Sequence, residues 1–339
     1  MSVTPATAAS DSAAANISRA AIEAAATRIA PFIIETPLIE SPRLNDKLGI
    51  RLLVKAECLQ HTGSFKLRGA SNAVWSLDDT VKHVVAFSSG NHAQGVARAA
   101  ASRGLQATIV MPKDSPAGKI EGTKAYGGTV ILYDRYTESR EEIGADLATR
   151  KQAHMIKPFD DFRVIAGQGT VGLEIATQAA AKNLTPDAII CCCGGGGLIA
   201  GMSIAASDMI PGVDIWAAEP EFYDDTRRSL ASGKIETVDI TMPSICDSIV
   251  TAQPGEITFP INKKLLLGSA VITDRDALQA VATAFKHLKI IIEPGGAAAL
   301  AAVLTGQYPA GAKTVVAVAT GGKIYAPMFQ RALDEGPLF

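Results

Sequence analysis

Aromatic side chains are scarce in this chain of 339 residues: phenylalanine, tryptophan and tyrosine together make up 5%. The apolar share is nonetheless 47%. The interior must therefore be built from alanine, valine, isoleucine and leucine, the residues of buried parallel strands and the helices that cover them. Charge of one sign is also lacking. Thirty-two basic residues face 34 acidic ones, for a net charge of −2, which removes the electrostatic case for nucleic acid or an anionic membrane as partner. No run of 18 or more apolar residues occurs, so no bilayer-spanning helix is expected. The first residues have neither the basic start nor the apolar core of a signal peptide, and a cytoplasmic location is expected. Cysteines number five, three of them consecutive at 191–193. Neighbours on a strand face opposite sides, so these make no disulfide framework and read as buried thiols in a reducing compartment. No internal period marks a repeat protein.

What is present reads as α/β. The length suggests two lobes. Residues 1–15 are rich in alanine, serine and threonine and are expected to be a mobile tail. A helix is expected at 17–29, capped by Asn16 or Ser18 and ended by Pro31. Extended chain follows at 36–39, a short strand at 51–57 and a helix at 65–76. Strands at 83–88, 107–111 and 129–132 alternate with helices ending at 103, 126 and 152, a block able to form its own parallel sheet. Residues 164–172 are glycine-rich and precede an alanine-rich helix. Further strands are expected at 188–193, 214–218 and 314–319, with a looser segment at 223–267. Thr273 and Asp276 form a capping box for a helix to about 288, and Glu293-Pro294 opens another. The expected division is a small domain at 80–155 and a large one from 16–79 and 156–339.

Ligands of open α/β sheets bind beyond the carboxyl ends of strands, and three such ends carry suggestive residues. Gly194, Gly195, Gly196 and Gly197 lie between a strand and a helix, where backbone N–H groups cradle anions. Ser88-Ser89-Gly90-Asn91-His92 offers side-chain and backbone donors suited to a substrate carboxylate. Thr320-Gly321-Gly322 places a hydroxyl where it could meet a neutral ring nitrogen. Lys66 stands between Phe65 and Leu67, just after Thr62-Gly63-Ser64; a desolvated lysine is a nucleophile toward aldehydes. A reactive amine, a phosphate cup, a carboxylate site and a hydroxyl facing a heteroaromatic nitrogen are together what pyridoxal phosphate needs. A competing reading stays open: Gly195-x-Gly197-x-x-Ala200, with Glu219 ending the next strand, fits the loose dinucleotide fingerprint of a nicotinamide-dependent oxidoreductase.

The chain resembles the serine/threonine dehydratase family of fold type II pyridoxal-phosphate enzymes, which includes serine racemases and hydroxyaspartate dehydratases. The resemblance spans about residues 20–330. It rests on Glu57-x-Leu59-Gln60-x-Thr62-Gly63-Ser64-Phe65-Lys66-x-Arg68-Gly69, Ser88 to His92, Ile165-Ala-Gly-Gln-Gly-Thr170, the four glycines and Glu293-Pro294. Related β-replacement enzymes and threonine synthases tend to carry aspartate after the lysine; Leu67-Arg68-Gly69 is the dehydratase form. The resemblance implies two lobes, each a mostly parallel sheet covered by helices. It implies that Lys66 tethers the cofactor and exchanges the α-proton, and that Phe65 packs beside the cofactor. Asn91 would bind the ring hydroxyl, Gly194 to Gly197 the phosphate and Thr320 the ring nitrogen, with Glu293 also at the cofactor. Ser88, Ser89, Gly90 and His92 would border the carboxylate pocket, Ser89 matching the second acid/base of the racemases. Glu219 and Asp225, with the Tyr223 carbonyl, match a site for Mg²⁺ or another divalent cation.

The implied reaction is α,β-elimination on a β-hydroxy amino acid, L-threonine or L-serine first, giving a 2-oxo acid and ammonia. Hydroxyaspartate dehydration and serine racemisation are the alternatives within the family. A homodimer is expected from the family habit, and feedback by isoleucine through an appended regulatory domain is not. Three residues depart from the family pattern: Cys58 where asparagine is common, Gly295 where serine or threonine is, and Lys323 where asparagine is usual.

Overall fold

Alternation along individual strands sets the architecture. The computed structural model describes residues 17–88 and 90–339; the expected tail at 1–15 and Asn16 lie outside them. In chain order the elements are α1 (Arg19–Ile29), β1 (Leu38–Glu40), α2 (Pro42–Leu48), β2 (Arg51–Lys55), α3 (Lys66–Trp75), β3 (His83–Phe87), α4 (Asn91–Ser102), β4 (Gln106–Pro112), α5 (Ala117–Ala125), β5 (Gly128–Tyr133), α6 (Arg140–Arg150) and β6 (His154–Met155). There follow α7 (Phe162–Ala181), β7 (Ala188–Cys192), α8 (Gly197–Met209), β8 (Asp214–Pro220), α9 (Asp225–Ser232), α10 (Thr258–Leu265), β9 (Gly268–Ile272), α11 (Asp274–Thr283), α12 (Pro294–Leu304), β10 (Thr314–Val318) and α13 (Ala326–Glu335).

The strands form two sheets. The larger has the order β1-β2-β10-β7-β8-β9, all parallel except β1. The smaller, β5-β4-β3-β6, is wholly parallel. In the larger sheet Leu52, Val54, Ile190, Cys192 and Val315 pack with α11 and α12, while Leu53, Ile189, Cys191 and Val316 pack with α7 and α8. Covering on both faces explains why these strands read as unbroken apolar runs. All five cysteines are free and buried, with Cys192 on one face and Cys191 and Cys193 on the other. In the smaller sheet Val84, Ala86, Ile109 and Met111 lie under Ala70, Ala73 and Val74 of α3 and Val96 of α4. Helix α3 therefore roofs the small sheet, although its first turn faces the large one.

Two expectations need correction. Residues 164–172 lie inside α7 rather than before it. Their glycines are points of close approach: a Cβ on Gly167 would sit 2.7 Å from the Arg68 carbonyl, and one on Gly172 2.5 Å from that of Met202. Backbone contact with α3 and α8 offsets the intrinsic cost of glycine in a helix, about 1 kcal/mol each. The segment 223–267 is less loose than expected, since it contains α9 and α10. The capping box does form, with Asp276 N–H donating to Thr273 Oγ1 (3.1 Å) and Thr273 N–H to Asp276 Oδ2 (2.9 Å). Among the described residues, no helix is long and apolar enough to cross a membrane.

Candidate active site

The segment before Lys66 is stitched to the end of β10. Ser64 pairs with Gly321 in an isolated bridge, Gly322 N–H donates to the Gly63 carbonyl (2.9 Å), and Phe65 N–H donates to that of Thr320 (3.1 Å). Gly63 takes φ +66°, the left-handed conformation glycine tolerates. Lys66 then opens α3. Its Nζ donates to the Pro158 carbonyl (2.9 Å) and lies 5.2 Å from the Phe65 ring centroid. The side chain keeps partial exposure, yet the protein crowded around the amine withdraws it from bulk water. That desolvation pulls the ammonium down to about 8, which puts the nucleophilic free amine within reach near neutrality.

A buried ionic cluster fixes this turn. Arg68 donates through Nε and Nη2 to Glu57 (2.8 Å each), and through Nη1 to Glu174 (2.5 Å) and Thr170 Oγ1 (3.1 Å). Lys55 Nζ donates to Glu174 (2.6 Å), Gln178 (3.0 Å) and the Thr36 carbonyl (2.5 Å). Arg68, Glu57 and Lys55 are each 0% exposed. Burial by itself would raise the Glu57 carboxyl, but Arg68 overrides it and holds the group below the ordinary carboxylate range. Burial wins at Lys55 and lowers its ammonium despite the Glu174 partner.

Around Lys66 the other strand ends converge. Gly196 adopts φ +87°. The carbonyls of Gly195 and Gly196 accept from Thr258 Oγ1 (2.7 Å) and Asn262 Nδ2 (3.4 Å). Among the described residues none of the four N–H groups of Gly194 to Gly197 has a hydrogen-bond partner, so the loop's donor edge is free for an anion. A Cβ on Gly194 would approach the Ile249 carbonyl to 3.0 Å, one on Gly197 would approach that of Phe159 to 2.8 Å, and one on Gly195 would strike the Phe159 ring. Asn91 Nδ2 donates to Glu293 Oε1 (2.5 Å), while its buried Oδ1 has no partner among the described residues. Burial raises the Glu293 carboxyl. Thr320 Oγ1 lies 3.0 Å from Cys192 Sγ. His92 Nε2 meets the Ile156 carbonyl (3.0 Å), and its buried Nδ1 is unpartnered among the described residues. Burial, aided by the charge of Lys66, pushes this ring down to about 3, so it is neutral. Ser88 Oγ accepts from Gly90 N–H (3.1 Å) at the start of α4. Ser89 lies outside the described residues.

The expected cation residues sit apart, at the end of β8. Glu219 accepts from the N–H groups of Thr226 (2.7 Å) and Arg227 (2.9 Å) and from Ser269 Oγ (2.6 Å). It thereby caps α9, which disposes of it as the ribose acceptor of a nicotinamide site. Asp225 is fully buried with neither carboxylate oxygen partnered, and burial raises it to about 8 and Glu219 to about 7. The Tyr223 hydroxyl has two carbonyls within reach of its one proton, those of Met242 (2.5 Å) and Ile240 (2.9 Å). Among the described residues no three acidic, histidine or cysteine side chains gather to hold a metal ion. Glu219, Asp225 and the Tyr223 carbonyl would be the donor set for an ion here, and the orphaned Asp225 oxygens fit a hard cation.

Several contributors to the site carried no local sequence signal. Phe159 and Pro158 wall the lysine and the glycine loop. Lys119 of α5 pairs with Asp247 (2.6 Å), which lies in the segment between α9 and α10. The Gly295 departure is answered by Ser248, whose Oγ occupies the space a Cβ would need. Lys323 packs beside Gly63 with its Nζ buried and unpartnered, and burial lowers it to about 7.

Residues 29–321 match the family described as pyridoxal-phosphate dependent enzymes. The chain is 40% identical over 292 residues to the serine racemase of Oryza sativa subsp. indica, covering 85% of this chain and 84% of that one. It is 38% identical over 319 residues to the L-threo-3-hydroxyaspartate ammonia-lyase of Saccharomyces cerevisiae, covering 92% and 96%. The crystal structure of a T.th. threonine deaminase superposes with a TM-score of 0.86 at 40% identity, covering 91% of this chain and 99% of that one. With Lys66, the glycine loop and the β10 turn brought together at the strand ends, and with these relatives spanning nearly the whole chain, the protein belongs to the pyridoxal-phosphate dependent enzymes of the ammonia-lyase and racemase group, of fold type II.

Proposed function

We propose that the chain dehydrates a 2-amino-3-hydroxy acid, L-threonine or L-serine first, to a 2-oxo acid and ammonia. The observation that carries this is Lys66, an amine lowered to about 8 and, among the described residues, bonded only to the Pro158 carbonyl, close to the free donor edge of the glycine loop. These residues fit pyridoxal phosphate, since unpartnered loop N–H groups and the orphaned Asn91 Oδ1 are polar atoms in want of a ligand. When bound there, the cofactor supplies an aldehyde for amines and a conjugated ring that draws electrons from the α-carbon.

Lys66 would tether it and take the α-proton at Nζ. Gly194 to Gly197 would hold the phosphate, Phe65 would pack beside the ring, Asn91 with Glu293 behind it would meet the ring hydroxyl, and Thr320 the ring nitrogen. Ser88, Ser89, Gly90 and His92 would border the substrate carboxylate at the start of α4. The α-hydrogen and β-hydroxyl leave as water, and the released enamine takes water back to give the oxo acid and ammonia. Glu219, Asp225 and the Tyr223 carbonyl would hold Mg²⁺ or a similar ion away from the chemistry. The exposed side chains of Leu59, Phe285, Ile291 and Tyr325 support a homodimer, and five free thiols support a cytoplasmic setting.

One observation favours a second reading. Lys323 Nζ is unpartnered, close enough to Glu293 and Lys119 to be shifted by their charges, and a substrate with a second carboxylate, such as a 3-hydroxyaspartate, would supply its counter-charge.

Borohydride treatment of the yellow holoenzyme should fix the cofactor on Lys66. A panel of threonine, serine and 3-hydroxyaspartate stereoisomers, assayed for oxo acid and for racemised product, then ranks the substrates. Turnover by Lys66→Ala at the wild-type rate sinks the mechanism; oxo acid from hydroxyaspartate alone replaces the first reading by the second.

A further inference from the structure

We propose that Cys192 is a positioning residue for Thr320: its thiol donates to the Thr320 hydroxyl and frees that hydroxyl's proton for an unprotonated ring nitrogen. The inference rests on the reading of Thr320 above and deepens it. Cys192 ends β7 and Thr320 lies just past β10, the neighbouring parallel strand, with Val318 in register with Cys191. Both side chains are buried, at 4% and 3% exposure, and Sγ to Oγ1 is 3.0 Å. Among the described residues Thr320 Oγ1 has no other hydrogen-bond partner. The neighbouring thiols are differently engaged, Cys193 Sγ with Thr226 Oγ1 (3.2 Å) on the opposite face of the sheet.

Chemistry selects the direction of this bond. A hydroxyl has one proton and two lone pairs; sulfur is a weak acceptor, and a thiol can donate. With an aromatic nitrogen as the alternative acceptor, the hydroxyl proton goes to nitrogen, and the thiol proton fills the lone pair left behind. The reverse polarity, hydroxyl to sulfur, would aim oxygen lone pairs at the nitrogen and favour a proton on it. Valine or alanine at this strand position would fill the core but supply no donor. By keeping the ring neutral, the thiol limits how much negative charge leaves the α-carbon for the ring, which favours expulsion of the β-hydroxyl over return of the proton.

The test uses holoenzyme carrying pyridoxal phosphate with its ring nitrogen isotopically labelled. The wild type should show the resonance of an unprotonated, hydrogen-bonded pyridine nitrogen. Cys192→Ala should move that resonance and weaken cofactor binding about fivefold in spectral titrations of the apoprotein, whereas Cys192→Ser, which keeps a donor, should stay within about twofold. Thr320→Val tests the underlying reading and should weaken binding about tenfold. If Thr320→Val changes neither quantity, the assignment of Thr320 fails. If it changes both while Cys192→Ala matches the wild type, only the role of Cys192 fails. Equal losses in the alanine and serine variants reduce Cys192 to packing and overturn the proposal. Infrared spectra give a second measure: the S–H band lost in Cys192→Ser should lie at the low wavenumber of a donating thiol and rise in Thr320→Val. A band at the free-thiol position, or no band because the sulfur is a thiolate, refutes the donor role.

Discussion

Arg68→Met probes how the first turn of α3 is held. Methionine nearly fills the space, so the change removes charge and hydrogen bonds more than volume. Glu174 keeps Lys55 at 2.6 Å. Glu57, 0% exposed, is left with the Thr36 hydroxyl (2.5 Å) and the more distant charge of Lys55. Removing one partner of a buried ion pair costs about 3–5 kcal/mol. The surviving Thr36 and Lys55 contacts place this case near the lower end, about 3 kcal/mol, a large part of the roughly 5–15 kcal/mol that holds a typical domain folded. Urea denaturation followed by the fluorescence of Trp75 and Trp216 measures it. The pH dependence has a definite sign. In the wild type Glu57 is held low, so it contributes stability above its unfolded value, about 4.3, and loses it as pH falls through the lower folded value. Without Arg68, burial is opposed only by the Thr36 hydroxyl and the Lys55 charge, the folded value rises, and the ionised group costs stability at pH 7 that returns on acidification. The gap between the two proteins should therefore narrow from pH 7 to about 4, and Glu57→Gln added to Arg68→Met should recover at least half of the loss. A variant within about 1 kcal/mol of the wild type, or a double variant no better than the single, refutes the reasoning.

Other consequences are open to direct measurement. Gly195→Ala should weaken cofactor binding about tenfold, because the new methyl strikes Phe159 and the loop must shift. Gly295→Ser should destabilise by about 1 kcal/mol, the cost of turning the Ser248 hydroxyl aside, and be largely rescued by Ser248→Gly, a coupling that a double-mutant cycle reads. EDTA should lower the urea midpoint of the wild type and Mg²⁺ should restore it, while Asp225→Asn should answer to neither. Lys323→Asn should reduce kcat/KM for 3-hydroxyaspartate by about tenfold or more if that ammonium meets the second carboxylate, and leave L-serine within about twofold.

The glycine loop, Asn91 and Thr320 could be read from the chain because each is a local event, a strand end followed within a few residues by special ones, and Lys66 because of the motif around it. Parallel strands of one sheet point their ends the same way, which places Thr320 beside the glycine loop; that Asn91, on the other sheet, meets them is visible only in the fold. The ionic cluster had no such signal, since Arg68 and Glu174 are 106 residues apart and each alone is an ordinary charged side chain. Gly167, Gly169 and Gly172 misled for a related reason. Glycine reads as a break when only its backbone freedom is weighed, whereas in α7 it is required by the backbones of α3 and α8 lying against it. The exchange of bulk between Gly295 and Ser248 is likewise visible only once the two are neighbours.

Helix α3 has a consequence for divisibility. Ala70, Ala73 and Val74 are as much a part of the small sheet's core as Val84 or Ile109, yet Lys66 and Arg68 are anchored among residues of the large sheet. Residues 80–155 expressed alone would bare the face that α3 covers and should aggregate; the fragment 66–155 would keep its roof but carry Arg68 without Glu57 or Glu174. The small sheet thus has a core of its own but no clean edge in the chain, and the residue at that seam is Lys66, the desolvated amine.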